Sequence, residues 1–328
     1  LVVVEHHFVQ LDPNALPRGQ GRIAMTGDAL DLHEKATEIV AHFFKGSARI
    51  VPLPSLKNSV YRLGFEGGSE YKILKLAFGE QAVNVRREQG VLRALKQQGL
   101  PVPSIDFIQE SWHDTAVAFT IMPELARCNL EQFAPSDPSL VKHAYRRSGE
   151  FLARLSGINP ANVPEAHKYS GVSAWMRKEL AVRKEVLDYG GLWRPEFELL
   201  WEKVNTLIDR STGQLAHRDF NFGQVVVDEL DGFGVVDWEE AGAGFPLLDC
   251  ADFIKLAIER NIPAELRTCF IDGYRDNTPW SESHQNELDA WQGYSFLGAA
   301  EHYLRAGRES IRKAVPYVEW ALAGTSDR

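Results

Sequence analysis

The sequence predicts an α+β fold in two lobes, a small antiparallel-sheet lobe followed by a large helical lobe. Three observations carry this reading. Short apolar or alternating runs crowd residues 50–122, almost everything after residue 123 repeats at helical spacing, and a single loop-and-strand island, Gln214 to Asp237, interrupts those helices. The 328-residue length exceeds the usual single-domain range and suits two lobes sharing a cleft.

Residues 1–27 hold Pro13, Pro17, Gly19 and Gly21 among polar residues with no sustained period, which predicts an irregular arm. Leu30, Leu32, Ala36, Ile39, Val40 and Phe43 then recur at helical spacing, with Thr26 or Asp28 available as a cap and Gly46 as a stop, so a first helix ends near Lys45. Ile50–Leu53, Val60–Phe65 and Tyr71–Leu76 read as antiparallel strands. Gln81–Gln97 is helical in pattern, through Val85, Val91, Leu92 and Leu95, and Gly99 to Pro103 ends it. Ile105–Ile108 and Ala116–Met122 complete a five-stranded sheet, bounding a small lobe at 28–122. The large lobe, 123–328, shows helical patterns near 138–157, 172–188, 196–210, 247–260, 263–275, 283–306 and 308–323. Within the island, Gln214–Ala216, Gln224–Val227 and Gly234–Val236 are short strands, the last two a hairpin turned at Asp231 and Gly232.

Composition narrows the function classes. Hydrophobic residues at 44% and charged residues at 25% are ordinary globular proportions, and no apolar run approaches the ~20 residues that span a bilayer, so no membrane association is expected. Leu1 to Val4 is apolar but gives way at once to Glu5, His6 and His7, without a basic leader or a small-residue cleavage site, and is not read as a signal peptide. Cys128, Cys250 and Cys269 are far apart and form no C-x-x-C pair, which argues against a disulfide framework or a zinc site and for a reducing cytoplasm. A net charge of −9 without a Lys/Arg cluster argues against nucleic-acid binding. A monomer or homodimer acting on a small molecule is the expectation.

The chemistry-bearing residues concentrate in the island. An isolated Asp at a strand end is most often a cap or turn residue, but here several features come in order: His217-Arg218-Asp219, an amide five positions on at Gln224, a turn, and an apolar strand running into Asp237-Trp238-Glu239-Glu240. This order resembles the aminoglycoside phosphotransferase and choline kinase family of small-molecule kinases, and the resemblance spans about residues 28–310. It implies a two-lobed protein-kinase-like fold and transfer of a phosphoryl group from Mg-bound ATP, or GTP, to a hydroxyl. In that chemistry a carboxylate holds the acceptor hydroxyl and oxygen ligands hold Mg2+ against the phosphates. By resemblance Asp219 takes the first role, and Gln224, Asp237 and the nearby Glu239 the second. The sequence departs from the family at Gln224, where most members have Asn, and at Arg218, where small-molecule kinases more often have Gly; similar loops ending in Gln occur in the maltokinase-like branch. His217 is read as a brace for the loop. Gly244-Phe245-Pro246-Leu247-Leu248-Asp249 resembles a further family segment in which Asp249 braces a loop or starts a helix.

In the small lobe Lys75 follows an apolar pair on its strand and resembles the family's phosphate-binding lysine; Lys72, three residues away, points to the opposite face. Glu88 on the next helix is its expected ion-pair partner. Ser55, Asn58 and Ser59 occupy the place of a phosphate-covering turn, although the turn holds no glycine. Met122, Glu124 and Leu125 fall at the expected adenine-binding hinge, where Pro123 lacks an N–H and leaves any donor to Glu124 or Leu125. Candidate acceptor contacts are Glu240, Trp291, Tyr294, Glu301, His302 and Arg305. The acidic balance, with Glu239, Glu240 and Glu301, favours an aminated acceptor such as an aminoglycoside or another antibiotic. The alternatives are a sugar or amino-alcohol kinase of primary metabolism and a non-catalytic nucleotide-binding protein, the intact set Lys75, Glu88, Asp219, Gln224 and Asp237 standing against the last.

Overall fold

The computed structural model describes residues 28–45, 48–53, 59–66, 68, 70–112, 117–166, 169–210, 213–306 and 310–323. The expected arm at 1–27, the Thr26 and Gly46 boundary signals, and Ser55 and Asn58 lie outside the described residues. The chain forms the two-lobed α+β fold that the sequence predicts.

Helix α1 (Asp28–Phe44) precedes a five-stranded antiparallel sheet of β1 (Ala48–Leu53), β2 (Ser59–Phe65), β3 (Tyr71–Phe78), β4 (Phe107–Gln109) and β5 (Val117–Pro123), ordered β1-β2-β3-β5-β4. Helix α2 (Ala82–Gln97) leaves the sheet between β3 and β4. The period-two alternation of a strand decides what each residue meets. Leu74 and Leu76 of β3 join Ala36, Ile39 and Val40 of α1 in one core, while Ala77 packs with Val85 of α2 in another. Lys75 alternates with Leu74 and Leu76 and so shares the α2 face, which is why it reaches that helix.

A two-residue strand, β6 (Cys128–Asn129), leads into the helical lobe: α3 (Pro138–Ser156), α4 (Tyr169–Tyr189), α5 (Glu196–Arg210), α6 (Pro246–Glu259), α7 (Ala264–Arg275), α8 (Glu282–Arg305) and α9 (Ile311–Ala323). Asp137 caps α3 by accepting from the Ser139 N–H at 2.8 Å, and Pro138 follows it at the first helical position. Helices α3 and α7 approach closely because each offers a glycine. A Cβ at Gly149 would stand 1.9 Å from the Phe270 carbonyl oxygen, and one at Gly273 would stand 2.0 Å from that of Arg146. None of the described helices is long and apolar enough to cross a membrane.

The island holds β7 (Gln214–Ala216), β8 (Val225–Val227), β9 (Phe233–Val235) and β10 (Gly242–Gly244). β8 pairs with both β6 and β9, and β7 pairs with β10. The hairpin loop is wider than the two-residue turn expected at Asp231 and Gly232, because Asp228 Oδ1 gathers the N–H groups of Leu230 (2.8 Å) and Gly232 (2.9 Å). Asp231 takes a φ of 65° there.

Candidate active site

The centre of the site is a junction between β3, α2 and the segment after β9. Lys75 Nζ lies 2.8 Å from Glu88 Oε2, 2.9 Å from Asp237 Oδ1 and 3.8 Å from Glu239 Oε2. Burial opposes the Lys75 charge, yet the three carboxylates outweigh it and hold the ammonium above the ordinary lysine range. The same burial pushes the Glu88 carboxyl up, against the pull of the Lys75 ammonium and the Trp238 N–H, which donates to Glu88 Oε1 at 3.1 Å. The rival Lys72 points away and pairs with Asp106 on the surface.

β9 ends at Val235, and Asp237 takes a left-handed φ of 65°. For a non-glycine residue that conformation costs about 1–3 kcal/mol and persists only where its surroundings enforce it. Glu239, grouped by resemblance with Asp237 at the metal site, therefore does not continue the strand. The chain turns instead, and Glu239 is 4% exposed behind the Lys75 ammonium. Arg87 of α2 fixes that turn, its Nε donating to the Glu239 carbonyl at 3.0 Å. Asp237 remains half-buried, and Gln224 Nε2 donates to its other oxygen, Oδ2, at 3.2 Å.

The loop carrying Asp219 is braced from below. The backbone N–H groups of His217 and Arg218 donate to Asp249 Oδ2 and Oδ1 at 2.7 and 2.9 Å, in the first turn of α6. Burial raises the Asp249 carboxyl to about 7 against those two bonds. Burial lowers the His217 imidazole to about 4, so the ring is neutral at pH 7; its Nε2 lies 3.0 Å from the Val236 carbonyl and must carry the proton. A neutral ring buried against Trp238, with ring centroids 4.5 Å apart, braces the loop rather than acting as a base. Arg218 also takes a left-handed φ, 70°, which turns the next residue outward. Asp219 is exposed, and Asn221 Nδ2 spans its carbonyl (3.0 Å) and its Oδ1 (3.3 Å). The sequence reading overlooked Asn221, although Asn two residues after an Asp is a familiar local hydrogen-bonding arrangement.

The order Lys, Glu, Asp, amide, Asp along the chain, with Lys75, Glu88, Asp237 and Gln224 in contact, coincides with a family match over residues 49–285, to a model described as a phosphotransferase enzyme family. The chain belongs to that family. It is a small-molecule kinase with an alcohol group as acceptor. Similar folds include a thermostable mutant of aminoglycoside phosphotransferase APH(4)-Ia, with TM-score 0.60 and 14% identity over 88% of this chain and 98% of the other. The GDP complex of wild-type aminoglycoside 2'-phosphotransferase-IIIa also has TM-score 0.60, at 16% identity over 89% and 98% of the two chains. Macrolide 2'-phosphotransferase MphH from Brachybacterium faecium has TM-score 0.56 and 15% identity over 87% and 98%. No curated protein sequence matches the chain.

Within this phosphotransferase the hinge is narrower than the sequence suggests. The Glu124 N–H donates to the Tyr71 carbonyl at 3.0 Å and its carboxylate binds Arg62 at 2.6 Å, so neither is left for a base. The Leu125 N–H is the remaining hinge donor, and Met122 is buried in β5. Ser59 opens β2, where its side chain bonds Tyr61.

A cavity of about 390 Å3 lies in the helical lobe, walled by α4, α6, α8, α9 and Arg218 of the loop after β7. Two of the candidate acceptor residues, Tyr294 and His302, line it. The others do not. Trp291 is fully buried against Phe245 with centroids 4.7 Å apart, and its indole N–H bonds Glu287. Glu301 is buried between Arg183 (2.9 Å) and Arg305 (2.8 Å). Arg305 is therefore spent on Glu301, and Glu240 stands outside the cavity wall, near enough to Arg218 to attract it. This corrects the basis for an aminated acceptor, since Glu239 and Glu301 already neutralise cations of the protein. Arg183 and Trp175, both on α4, line the cavity and were missed from sequence. The available signal was Gly298, a glycine inside a helical pattern, whose missing side chain makes room for the Arg183 guanidinium.

Proposed function

We propose that this kinase transfers the terminal phosphoryl group of ATP to a hydroxyl of a small molecule seated in the α4–α6–α8 cavity, with Asp219 receiving the hydroxyl. The observation that carries the reading is the Lys75 junction. A buried ammonium held by Glu88, with the half-buried Asp237 beside it, suits nucleotide phosphates. The Leu125 N–H offers the adenine a hinge donor, and GTP is the alternative base.

Asp237 and Gln224 fit Mg2+. Asp237 is a half-exposed carboxylate touching the amide of Gln224, whose carbonyl oxygen becomes a hard ligand if the amide turns. Mg2+ is commonly held by one or two protein oxygens together with the phosphates of a bound nucleotide. When bound, the ion offsets charge on the phosphates. The chain supplies the rest: Lys75 binds and orients phosphate oxygens, Glu88 keeps Lys75 in place, Asn221 fixes the Asp219 carboxylate, and Asp219 accepts the proton of the attacking hydroxyl.

Aminoglycoside and macrolide acceptors belong to the named relatives. For this chain an antibiotic and a metabolite of sugar or amino-alcohol type remain the two acceptor classes to separate. The test is an ADP-release screen against both classes, with the phosphate ester identified by mass spectrometry. Release without any esterified acceptor, at a rate unchanged in Asp219→Asn, contradicts the reading.

A further inference from the structure

We infer that the acceptor carries an oxyanion, a carboxylate or a phosphate, recognised by Arg183 and Arg218 in the cavity beside the catalytic loop. The inference rests on the reading of this cavity as the acceptor site and deepens it.

Arg183 is the first reason. It lines the cavity at 8% exposure, and its guanidinium is locked on three sides. Nε donates to Glu301 Oε2 at 2.9 Å, Nη1 donates to the Tyr294 carbonyl at 2.9 Å, and Cζ stands over the Tyr294 ring, 4.0 Å from the centroid. The backbone of α8 closes the fourth side at Gly298, where an added Cβ would stand 3.0 Å from both Cζ and Nη2. Nη2 itself carries no hydrogen bond to the described residues and is not among their sealed, unpartnered atoms. A buried, rigid, pre-oriented donor with open N–H bonds is a feature that a ligand acceptor completes. Because Glu301 is shared with Arg305, the three charges Arg183, Glu301 and Arg305 sum to one net positive charge.

The balance of the remaining wall points the same way. Four cationic side chains line the cavity, Arg183, Arg218, Lys255 and Arg260, against three carboxylates, Asp249, Asp252 and Glu259. Each carboxylate is already engaged: Asp249 by two backbone N–H groups, Asp252 by Lys255 at 3.5 Å, Glu259 by the Tyr317 hydroxyl. Arg260 is engaged by Glu131 at 2.5 Å. Arg218 makes no side-chain hydrogen bond or ion pair with the described residues, and Glu240 and Asp249 attract it only at longer range. What keeps open donors is the Nη2 of Arg183 and the guanidinium of Arg218, the group best matched to carboxylate and phosphate oxygens. Trp175, 49% exposed at the wall with Arg218 Cζ 5.9 Å from its ring, offers an apolar face for a sugar or other ring. A polycation would meet the wrong charge.

The test is calorimetric titration of the full chain, without nucleotide, with glucuronate, glucose 1-phosphate and orthophosphate, and with glucose and glucosamine as the neutral and aminated counterparts. At least one anion is expected to bind more tightly than glucose and glucosamine, with affinity falling as chloride is added. Which anion binds separates a carboxylate from a phosphate acceptor. Arg183→Gln is expected to weaken the anion about 10- to 100-fold. Gly298→Ala, which displaces the guanidinium without removing it, moves affinity in the same direction. Fluorescent-ADP binding checks that both variants are folded. No anion binding up to about 10 mM, equal or tighter binding of glucosamine, or anion affinity unchanged in folded Arg183→Gln each overturns the inference. Phosphoryl transfer to neutral or aminated acceptors without an anion preference sinks this inference and leaves the kinase reading standing. Arg183-dependent anion binding without transfer to any acceptor does the reverse.

Discussion

The Lys75 junction and the cavity in the helical lobe hold their polar groups in opposite states. At the Lys75 junction the ammonium meets three carboxylates, and Asp237 touches both Lys75 and Gln224. In the cavity two guanidiniums keep open donors while every lining carboxylate is spent. On the proposed function the first region serves a partner common to all kinases of this kind and the second a partner particular to this chain. Specificity then resides in helix faces, above all α4 and α8, and general chemistry in the loops after β7 and β9.

The largest expected effect breaks the chemical side alone. Asp219→Asn should lower turnover by about 10²- to 10⁴-fold, the range for a lost general base, and leave the dissociation constant for ADP unchanged. Steady-state kinetics alongside fluorescent-ADP titration check both halves. Lys75→Ala comes next: removing the cation leaves Glu88 and Glu239 buried without their partner, so about 3–5 kcal/mol of stability should be lost together with nucleotide affinity. Lys72→Ala, whose Asp106 pair is on the surface, should cost about 1 kcal/mol or less and leave kinetics untouched. Chemical denaturation of the two variants makes the contrast; equal losses would mean that the buried face of β3 is not special.

A pH experiment sharpens the comparison from below the loop. The His217 imidazole titrates near 4 when folded and near ~6.5 when unfolded, so across that window the unfolded state binds the extra proton and stability falls as pH falls. Asp249 titrates near 7 when folded and near ~3.9 when unfolded, so the folded state binds the extra proton and stability rises as pH falls through the same window. The two contributions oppose each other. Asp249→Asn removes the second, and its stability should drop by about 3 kcal/mol more than that of the native chain between pH 6.5 and 4. Parallel pH profiles would show that burial does not raise the Asp249 carboxyl. The smallest effect concerns reach at the metal position: Gln224→Asn should retain measurable activity with a changed Mg2+ or Mn2+ requirement, and Gln224→Leu should not. Equal activity in both removes Gln224 from the site.

The same division governs what the sequence could say. Lys75, Glu88, Gln224 and Asp237, which the structure brings into contact, were legible as a group through the resemblance that their order along the chain carries. β6 and β10 were not readable: two- and three-residue strands carry no period, and Gly242-Ala243-Gly244 has no β-branched residue to mark it. Glu239 was placed with Asp237 by resemblance, and the left-handed turn at Asp237 buries it beside the Lys75 ammonium. Trp291, Glu301 and Arg305 repeat at helical spacing like Tyr294 and His302, and only the packing of α8 against α4 separates those spent on the core from those facing the cavity. Arg183 reaches the cavity through contacts with residues more than a hundred positions away. No local pattern announces that.

The most direct measurement follows the γ-labelled phosphoryl group of ATP in the native chain and in Asp219→Asn, with the carboxylated, phosphorylated, neutral and aminated acceptors supplied together. The account predicts label in an organic phosphate ester for the native chain, loss of that ester in Asp219→Asn, and ADP binding intact in both. Label released only as inorganic phosphate, at the same rate in the two proteins, would contradict it.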